Sequence, residues 1–551
     1  MNAPATRSLR GADALARTLV AAGVKRIFTL SGNHIMPVFD AALEAGLELV
    51  HVRHEASAVH MADAWARLTG APGIAMVTGG PGHANAVSAL YTAQMSESAM
   101  VLLSGHAPNN ELGRGAFQEM RQAEMAAPVT KASWTCAGPQ DVARDMAKAM
   151  RLARSGRKGP VHLSLPSDAL ESPAADGAPA AADFAAEVLP PADDAVAAAI
   201  ARLSRAKRPL VIAGAQSLTR PGRAKLAALE AALGLPVAGS ESPRGVNDPS
   251  LGAFAEVLAQ ADCVLLLGKR LDFTLRFGES PVIAADCGVL QFDADEAERA
   301  RAKRAFGARL EVSVPAEPFA TIDALITACA KRKGTHAAWR DEVHAAIAYR
   351  PAAWDGARGG AGRLHPVEAL RPLQAILDSH PDSVMVCDGG EFGQWTQACL
   401  SAPHRVINGA AGAIGAALPM ALAAPLAVPG APVLAFMGDG TFGFHCAEFD
   451  TAVRHRLPFA AVIGNDARWN AEYQIQLKAF GPDRLVGCEL LPTRYDQVAA
   501  AFGAHGVHVD AAAALHDTVK KATDAALASK RPACVNVALD GQPAPVVRRA
   551  G

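Results

Sequence analysis

Short apolar runs alternate with amphipathic, alanine-rich stretches along three long blocks of the chain, the rhythm of βα units that build parallel sheets. In the first block, from about Gly11 to about Pro173, the runs Ile27–Leu30, Leu49–Val52, Ile74–Val77, Met100–Leu103 and Val161–Leu165 predict strands. Ala56–Leu68 and Asn85–Ser96 predict helices between them. A Pro/Ala/Asp-rich stretch, Ser172–Asp194, predicts an exposed tether. The second block, about Ala195 to Lys333, predicts strands at Pro209–Ala213, Ala261–Leu267 and Val289–Asp293. Pro351–Pro366, with its glycine-rich run 356–362, predicts another connection. The third block, about Val367 to Asp540, predicts strands at Val384–Cys387, Val433–Met437, Ala460–Gly464 and Cys534–Leu539. The expected fold class is α/β, with three doubly wound parallel-sheet domains over residues 1–173, 195–333 and 367–551.

Composition narrows the classes of partner. A chain of 551 residues is too long for one core, and half of it is hydrophobic with 19% charged, as in a well-buried globular enzyme. The 53 Lys and Arg balance 54 Asp and Glu to a net charge of −1, which provides no basic face for nucleic acid or an anionic membrane. So small a charge also gives little protection against self-association, which fits an oligomer. The nine cysteines, Cys136 to Cys534, form no C-x-x-C pair, which argues against structural zinc and a disulfide framework and for a reducing cytoplasm. Met1–Arg10 carries arginines without a following apolar run, and no segment has 18 uninterrupted apolar residues, so neither a signal nor a membrane span is expected.

Three stretches carry candidate chemistry. In Val433–Phe442 an apolar strand runs into Gly438-Asp439-Gly440, placing Asp439 at the carboxyl end of a parallel strand, where open α/β sheets bind ligands. The glycines let backbone N–H groups approach a phosphate, and a helix near Glu448 is expected to present its positive end. Asp466 follows the next strand, so two hard carboxylates can meet at one sheet edge, as a magnesium–diphosphate site requires. Taken alone, a G-D-G triplet is equally a turn with a helix-capping Asp. Glu55, between a strand and an Ala-rich helix, is explained by the macrodipole, yet it is also suited to share a proton with a heteroaromatic nitrogen. Met76–Asn85 is a glycine-rich strand–helix turn that admits a bulky ligand against the backbone, or merely connects elements with Asn85 as N-cap.

In combination these stretches resemble the acetolactate synthase-like group of thiamine-diphosphate enzymes. That group includes pyruvate oxidases, benzoylformate decarboxylases, and the oxalyl-CoA decarboxylase and 2-hydroxyacyl-CoA lyase branch. R-H-E at 53–55, T-G-G-P-G-H-A-N at 78–85, G-A-F-Q-E at 115–119 followed by P-V-T-K at 128–131, G-P-V-H-L-S-L-P at 159–166 and G-D-G at 438–440 follow one another in the group's order. The resemblance implies a pyrimidine-binding first block, a central spacer and a diphosphate-binding third block. It places thiamine diphosphate between the first block of one subunit and the third of another, so a homodimer is the minimum and a homotetramer the expected assembly.

The resemblance also assigns roles. Glu55 would hydrogen-bond N1′ of the aminopyrimidine, the Gly412 carbonyl would accept from its 4′-amino group, and Ile414 would wedge the cofactor into its bent shape. Asp439, Asp466 and the main-chain carbonyl of Arg468 would ligate Mg²⁺ or another divalent cation. Gly32, Gly82, Asn85, Glu391, Gly438, Gly440 and Thr441 are expected to line the cofactor, and Gln118 and His34, the latter on an exposed loop, to face the substrate. Asn465-Asp466 departs from the usual pair of asparagines and adds negative charge beside a diphosphate. Gly268–Gly278 keeps Arg270 and Asp272 of the acetolactate synthases' FAD-binding run but not the rest, and looks closer to the acyl-CoA lyase branch. FAD is therefore doubtful there, whereas ADP or CoA is possible. Ile475 stands where acetolactate synthases carry a substrate-selecting Trp. Three readings follow: a carboligase or decarboxylase of 2-keto acids, a 2-hydroxyacyl-CoA or oxalyl-CoA type lyase, and a catalytically idle member with a binding or regulatory role.

Overall fold

The computed structural model describes residues 8–175, 177, 179–329, 336–360 and 362–549. The chain divides into two compact units, one of residues 1–66 with 71–187 and one of 67–70 with 188–551.

The first unit holds β1 (Arg26–Thr29), β2 (Glu48–His51), β3 (Gly73–Val77), β4 (Met100–His106), β5 (Ser133–Thr135) and β6 (Pro160–Pro166). They form one parallel sheet in the order β2-β1-β3-β4-β6-β5. β3, β4 and β6 are buried along their whole length, because helices cover both faces of a parallel sheet and favour continuous apolar runs. One core packs Leu15, Leu19, Ile27, Met76, Val101 and Leu163 together. The proline-rich stretch is anchored within this unit rather than free throughout: Phe184 is 5% exposed and joins that core.

The second unit contains two sheets. β7 (Pro209–Ala213), β8 (Val237–Gly239), β9 (Cys263–Leu267), β10 (Gly288–Phe292) and β11 (Leu310–Val314) pair in parallel as β11-β10-β9-β7-β8. An apolar cluster lies on each face. β12 (Val384–Cys387), β13 (His404–Ile407), β14 (Val433–Gly438), β15 (Ala460–Asn465), β16 (His505–Val509) and β17 (Ala533–Ala538) pair in parallel as β13-β12-β14-β15-β17-β16. Counted along each block, the first and third sheets share the order 2-1-3-4-6-5. In both, the winding reverses between the first and third strands of the block, and such a switch point opens a crevice at the carboxyl edge.

β5, β8, β11, β13 and β16 have no counterpart among the strands expected from apolar runs, and all five lie at sheet edges. One helix starts earlier than the sequence suggests, spanning Pro81–Met95 rather than starting at Asn85, and a short additional helix begins directly at Asp439, ahead of the expected one at Glu448.

Candidate functional site

In the first unit the switch point lies between β1 and β3. The chain leaves β1 through Ser31-Gly32-Asn33-His34 and leaves β3 through Thr78-Gly79-Gly80. The two loops pack so closely that a Cβ on Gly32 would stand 2.3 Å from Thr78 Cβ, and the neighbouring strand β4 is as near: a Cβ on Gly105 would stand 2.6 Å from His34 Cβ. His34 Nδ1 lies 3.1 Å from Thr78 Oγ1. The expectation of an exposed loop histidine is corrected here: His34 is 4% exposed, in a short 3-10 turn over Asn33–Ile35. Burial lowers its pKa, so the imidazole is neutral at pH 7. Its ring stacks on the exposed ring of Phe117 at 6.2 Å between centroids.

Gln118 follows, with φ +57, a left-handed backbone that side chains other than glycine rarely adopt. It closes over Gly80, where a Cβ would stand 2.7 Å from the Gln118 carbonyl oxygen. Gln122, which the sequence reading missed, fixes this turn from beneath. Its Oε1 accepts from the Gly80 amide at 2.8 Å, and its Nε2 donates to Gly105 O at 3.0 Å and Ser164 Oγ at 2.8 Å.

Glu55 opens the helix Glu55–Thr69 after β2 and is half-buried. Its Oε2 accepts from Asn85 Nδ2 at 3.0 Å, while a Cβ on Gly82 would lie 3.3 Å from Oε1. Asn85 therefore sits inside its helix, which starts at Pro81, and holds Glu55 instead of capping. Gly82 also abuts Thr78, so Glu55, Thr78 and His34 form one continuous edge.

The third sheet repeats the arrangement between β12 and β14. After β12, buried Asp388 accepts from Gly389 N at 2.7 Å, Gly415 N at 2.9 Å and Ala417 N at 3.3 Å. Burial pushes its carboxyl up to about 6 even against these three donors. Asp388 thus staples the segment Asn408–Gly415, inside which Asn408 Nδ2 donates to Ala413 O at 2.8 Å. On that segment Gly412 is exposed with φ +67, and Ile414 is half-buried rather than core. Ile414 packs over Gly389, where a Cβ would meet it at 3.1 Å. Glu391, beside them, has its pKa raised by burial, with the charge of Arg244 opposing; it accepts from Gln394 Nε2 at 3.2 Å.

After β14 the helix Asp439–His445 starts at once, so its positive end stands at Gly438 rather than near Glu448, where a separate helix begins. Thr441 Oγ1 donates to Gly438 O at 3.0 Å. A Cβ on Gly440 would meet the Trp469 ring at 2.7 Å, and Phe444 stands edge-on to that ring. Asp439 is 2% exposed, and its Oδ2 has no hydrogen-bond partner among the described residues. Burial raises its pKa, against amides that include those of Arg468 and Ala467. Asp466 is raised by burial and then by the charge of Asp439 beside it. A buried carboxylate pair with an unsatisfied oxygen at a helix N-terminus is the donor set a hard divalent cation fits. Asn465 is spent on structure, donating to Thr493 O at 2.8 Å and Asn536 Oδ1 at 3.1 Å.

Comparison with known proteins agrees with this duplicated edge. The family descriptions "Thiamine pyrophosphate enzyme, N-terminal TPP binding domain", "central domain" and "C-terminal TPP binding domain" match residues 9–125, 196–322 and 388–537. A "Probable acetolactate synthase" of Mycobacterium bovis is 33% identical over 550 residues, covering 98% of this chain and 97% of that protein. The chain belongs to the thiamine pyrophosphate enzymes. A "2-hydroxyacyl-CoA lyase 2" of Bos taurus is 32% identical over 546 residues, covering 90% of this chain and 84% of its own. An "Acetolactate synthase large subunit" of Parasynechococcus marenigrum is 29% identical over 564 residues, covering 98% and 88%.

In this thiamine pyrophosphate enzyme the second sheet has its own switch point, between β7 and β9. There the loops nearly touch: a Cβ on Gly214 would stand 2.2 Å from Gly268 O. Asp272 caps the turn that follows, accepting from Thr274 N at 3.0 Å and from its hydroxyl. Among the described residues no helix is long and apolar enough to cross a membrane.

Proposed function

We propose that this thiamine pyrophosphate enzyme makes or breaks a carbon–carbon bond beside the carbonyl of a 2-keto acid, as a carboligase or decarboxylase of the acetolactate synthase kind. Support comes from the relatives of that name, which align over almost the whole chain. The observation that carries the reading is the continuous edge in the first unit, where a carboxylate held by Asn85 shares a crevice with a neutral, buried His34.

Bound thiamine diphosphate supplies the electron sink for the bond change. Glu55 holds a proton against the aminopyrimidine nitrogen, with Gly82 and Asn85 beside it. The Gly412 carbonyl, Ile414, Glu391 and Gly32 would hold the cofactor, Gly412 as acceptor for its amino group and Ile414 as an apolar support. Asp439, Asp466 and the Arg468 carbonyl hold Mg²⁺ or another divalent cation, and Gly438, Gly440 and Thr441 face the diphosphate. His34 and Gln118 orient the substrate, with the His34 imidazole placed to exchange a proton with it. The working unit is a homodimer at least, paired into a tetramer.

A second reading, a 2-hydroxyacyl-CoA lyase, is favoured by the relatives of that name and by Ile475, which is 64% exposed on the helix after Asp466. A thermal shift with ADP or CoA but not FAD supports it. Product analysis of the protein supplied with thiamine diphosphate, Mg²⁺ and a panel of 2-keto acids and 2-hydroxyacyl-CoAs decides between the two. Turnover of neither class overturns both.

A further inference from the structure

The helix Pro81–Met95 carries both residues that close around Glu55, with Gly82 and Asn85 in its opening turns. Nothing local fixes where that helix starts. It is entered through Gly79 and Gly80, the latter at φ +57, and its N-cap makes no side-chain hydrogen bond. Among the described residues, the side-chain bonds that pin this turn from outside come from two places. Gln122 Oε1 accepts from the Gly80 amide, and His83 Nδ1 lies 2.8 Å from Ser104 Oγ in β4.

Ser104 belongs to a longer buried chain. His162 Nε2 in β6 lies 3.1 Å from the same hydroxyl, and His162 Nδ1 lies 2.8 Å from Ser133 Oγ in β5. Ser133 Oγ in turn donates to Ala123 O at 2.7 Å. His83, Ser104 and His162 have no exposed surface, and the two rings lie 4.6 Å apart between centroids. Burial keeps both rings neutral. It pushes the pKa of His83 down to about 4, with the Gln122 carbonyl opposing, and that of His162 well below the usual histidine range.

Each ring therefore has one proton to give, and the far end of the chain orders them all. A carbonyl only accepts, so the Ser133 hydrogen goes to Ala123 O and the His162 proton sits on Nδ1 to meet the Ser133 oxygen. His162 Nε2 is then an acceptor and takes the Ser104 hydrogen, and the Ser104 oxygen takes the His83 Nδ1 proton. Every donor points the same way, from His83 toward Ala123. Ala123 neighbours Gln122 on the short helix Gln122–Ala126. One element thus holds the turn at Gly80 by a direct bond and at His83 through the chain.

We propose that His83 is a positioning residue for Glu55: its one-way chain through Ser104, His162 and Ser133 sets the turn that presents Gly82 and Asn85, and so aims Glu55 at the aminopyrimidine of thiamine diphosphate. This rests on the reading of Glu55 as the partner of that ring nitrogen. The chain asks for an N–H donor at position 83 and a hydroxyl at 104, not for bulk. Reversing any one donor would leave two like groups facing each other away from water, so the chain holds the turn as a unit.

The test is a fluorescence titration of the full chain with thiamine diphosphate at saturating Mg²⁺, set beside the melting temperature without cofactor. His83→Leu should weaken cofactor binding about tenfold, as loss of one buried hydrogen bond does. His83→Asn, whose amide nitrogen is joined to Cβ through Cγ just as Nδ1 is, should regain most of that loss. Ser104→Ala should match His83→Leu, and the double variant should lose no more than either alone, since both cut one chain. Nitrogen-15 spectra of histidine-labelled protein should show His83 and His162 protonated at Nδ1. Parent-like binding by His83→Leu and Ser104→Ala overturns the proposal. So does an Asn variant as weak as the Leu one, an affinity that merely follows the melting temperature across the set, or a proton on Nε2 of either ring. Glu55→Gln tells the two claims apart. Weakened binding there with none in His83→Leu strikes the chain alone, and weakened binding in His83→Leu with none there strikes the role of Glu55.

Discussion

Asp439 and Asp466 press two carboxyl groups together where water is scarce: burial raises the pKa of both, and the charge of Asp439 raises that of Asp466 further. Without a cation, Asp466→Asn removes that repulsion, and the melting temperature should rise by a few degrees. With Mg²⁺ and thiamine diphosphate present the same variant should gain less from ligand than the parent does. An unchanged or lower ligand-free melt would show that the pair is not in conflict. His83 offers a test in a different pH range. Its buried imidazole lies 2.8 Å from Ser104 Oγ, with its pKa pushed down to about 4 by burial. Between about pH 6.5 and 4 the unfolded chain binds a proton there and the folded chain does not, so stability falls as pH falls through this window, by about 3 kcal/mol in all. His83→Gln should flatten the acid side of the melting profile; an identical slope would assign the loss elsewhere. Glu55 and Asp439 were legible in the sequence because each stands at a strand end inside a local motif. Gln122 and Asp388 were not, because their partners lie 42 and 27 residues away and no local pattern announces them.

All the strands found from sequence but one are interior strands, such as β3, β4 and β14, whose apolar runs are nearly unbroken; the exception is the edge strand β2, whose Leu49-Val50 pair continues into Val52. The ones overlooked, β5, β8, β11, β13 and β16, are half-exposed edge strands such as Ser133-Trp-Thr and Leu310-Glu-Val-Ser-Val. An edge needs no continuous apolar face, and its polar residues guard against pairing with another chain. Helix starts were misjudged for a related reason: Pro81 and Asp439 begin helices inside motifs that look like loops, where proline at a first turn and a carboxylate at a positive end are both favourable. The Asn408–Gly415 segment depends on Asp388 alone for its tie to β12 among the side-chain bonds described. Asp388→Asn replaces one acceptor oxygen with a donor facing main-chain N–H groups. It should weaken thiamine diphosphate binding about tenfold, while the far-ultraviolet circular dichroism stays that of the parent. Equal cofactor affinity in a fluorescence titration would remove Asp388 from that role.

At the scale of the whole chain, the family was legible because several moderately specific motifs fall in one order over nearly the entire length, and coincidence does not produce that. The substrate was not, because the group's motifs are shared by enzymes of different substrates and carry no information about which one this chain takes. If the cofactor bridges two copies, cofactor affinity must depend on protein concentration. Dilution in an analytical ultracentrifuge should then dissociate the cofactor-free protein at concentrations where the loaded protein stays associated; equal dissociation in both would place the cofactor within one copy. The unsatisfied oxygen of Asp439 carries a consequence for the cell as well. If the proposed metal joins the cofactor there, a newly made copy is least stable before both arrive, so proteases that cut transiently opened chains remove empty copies first. The abundance of this enzyme should therefore follow the supply of the vitamin: in thiamine-starved cells its half-life should shorten, and Asp466→Asn, which is already relieved, should shorten less.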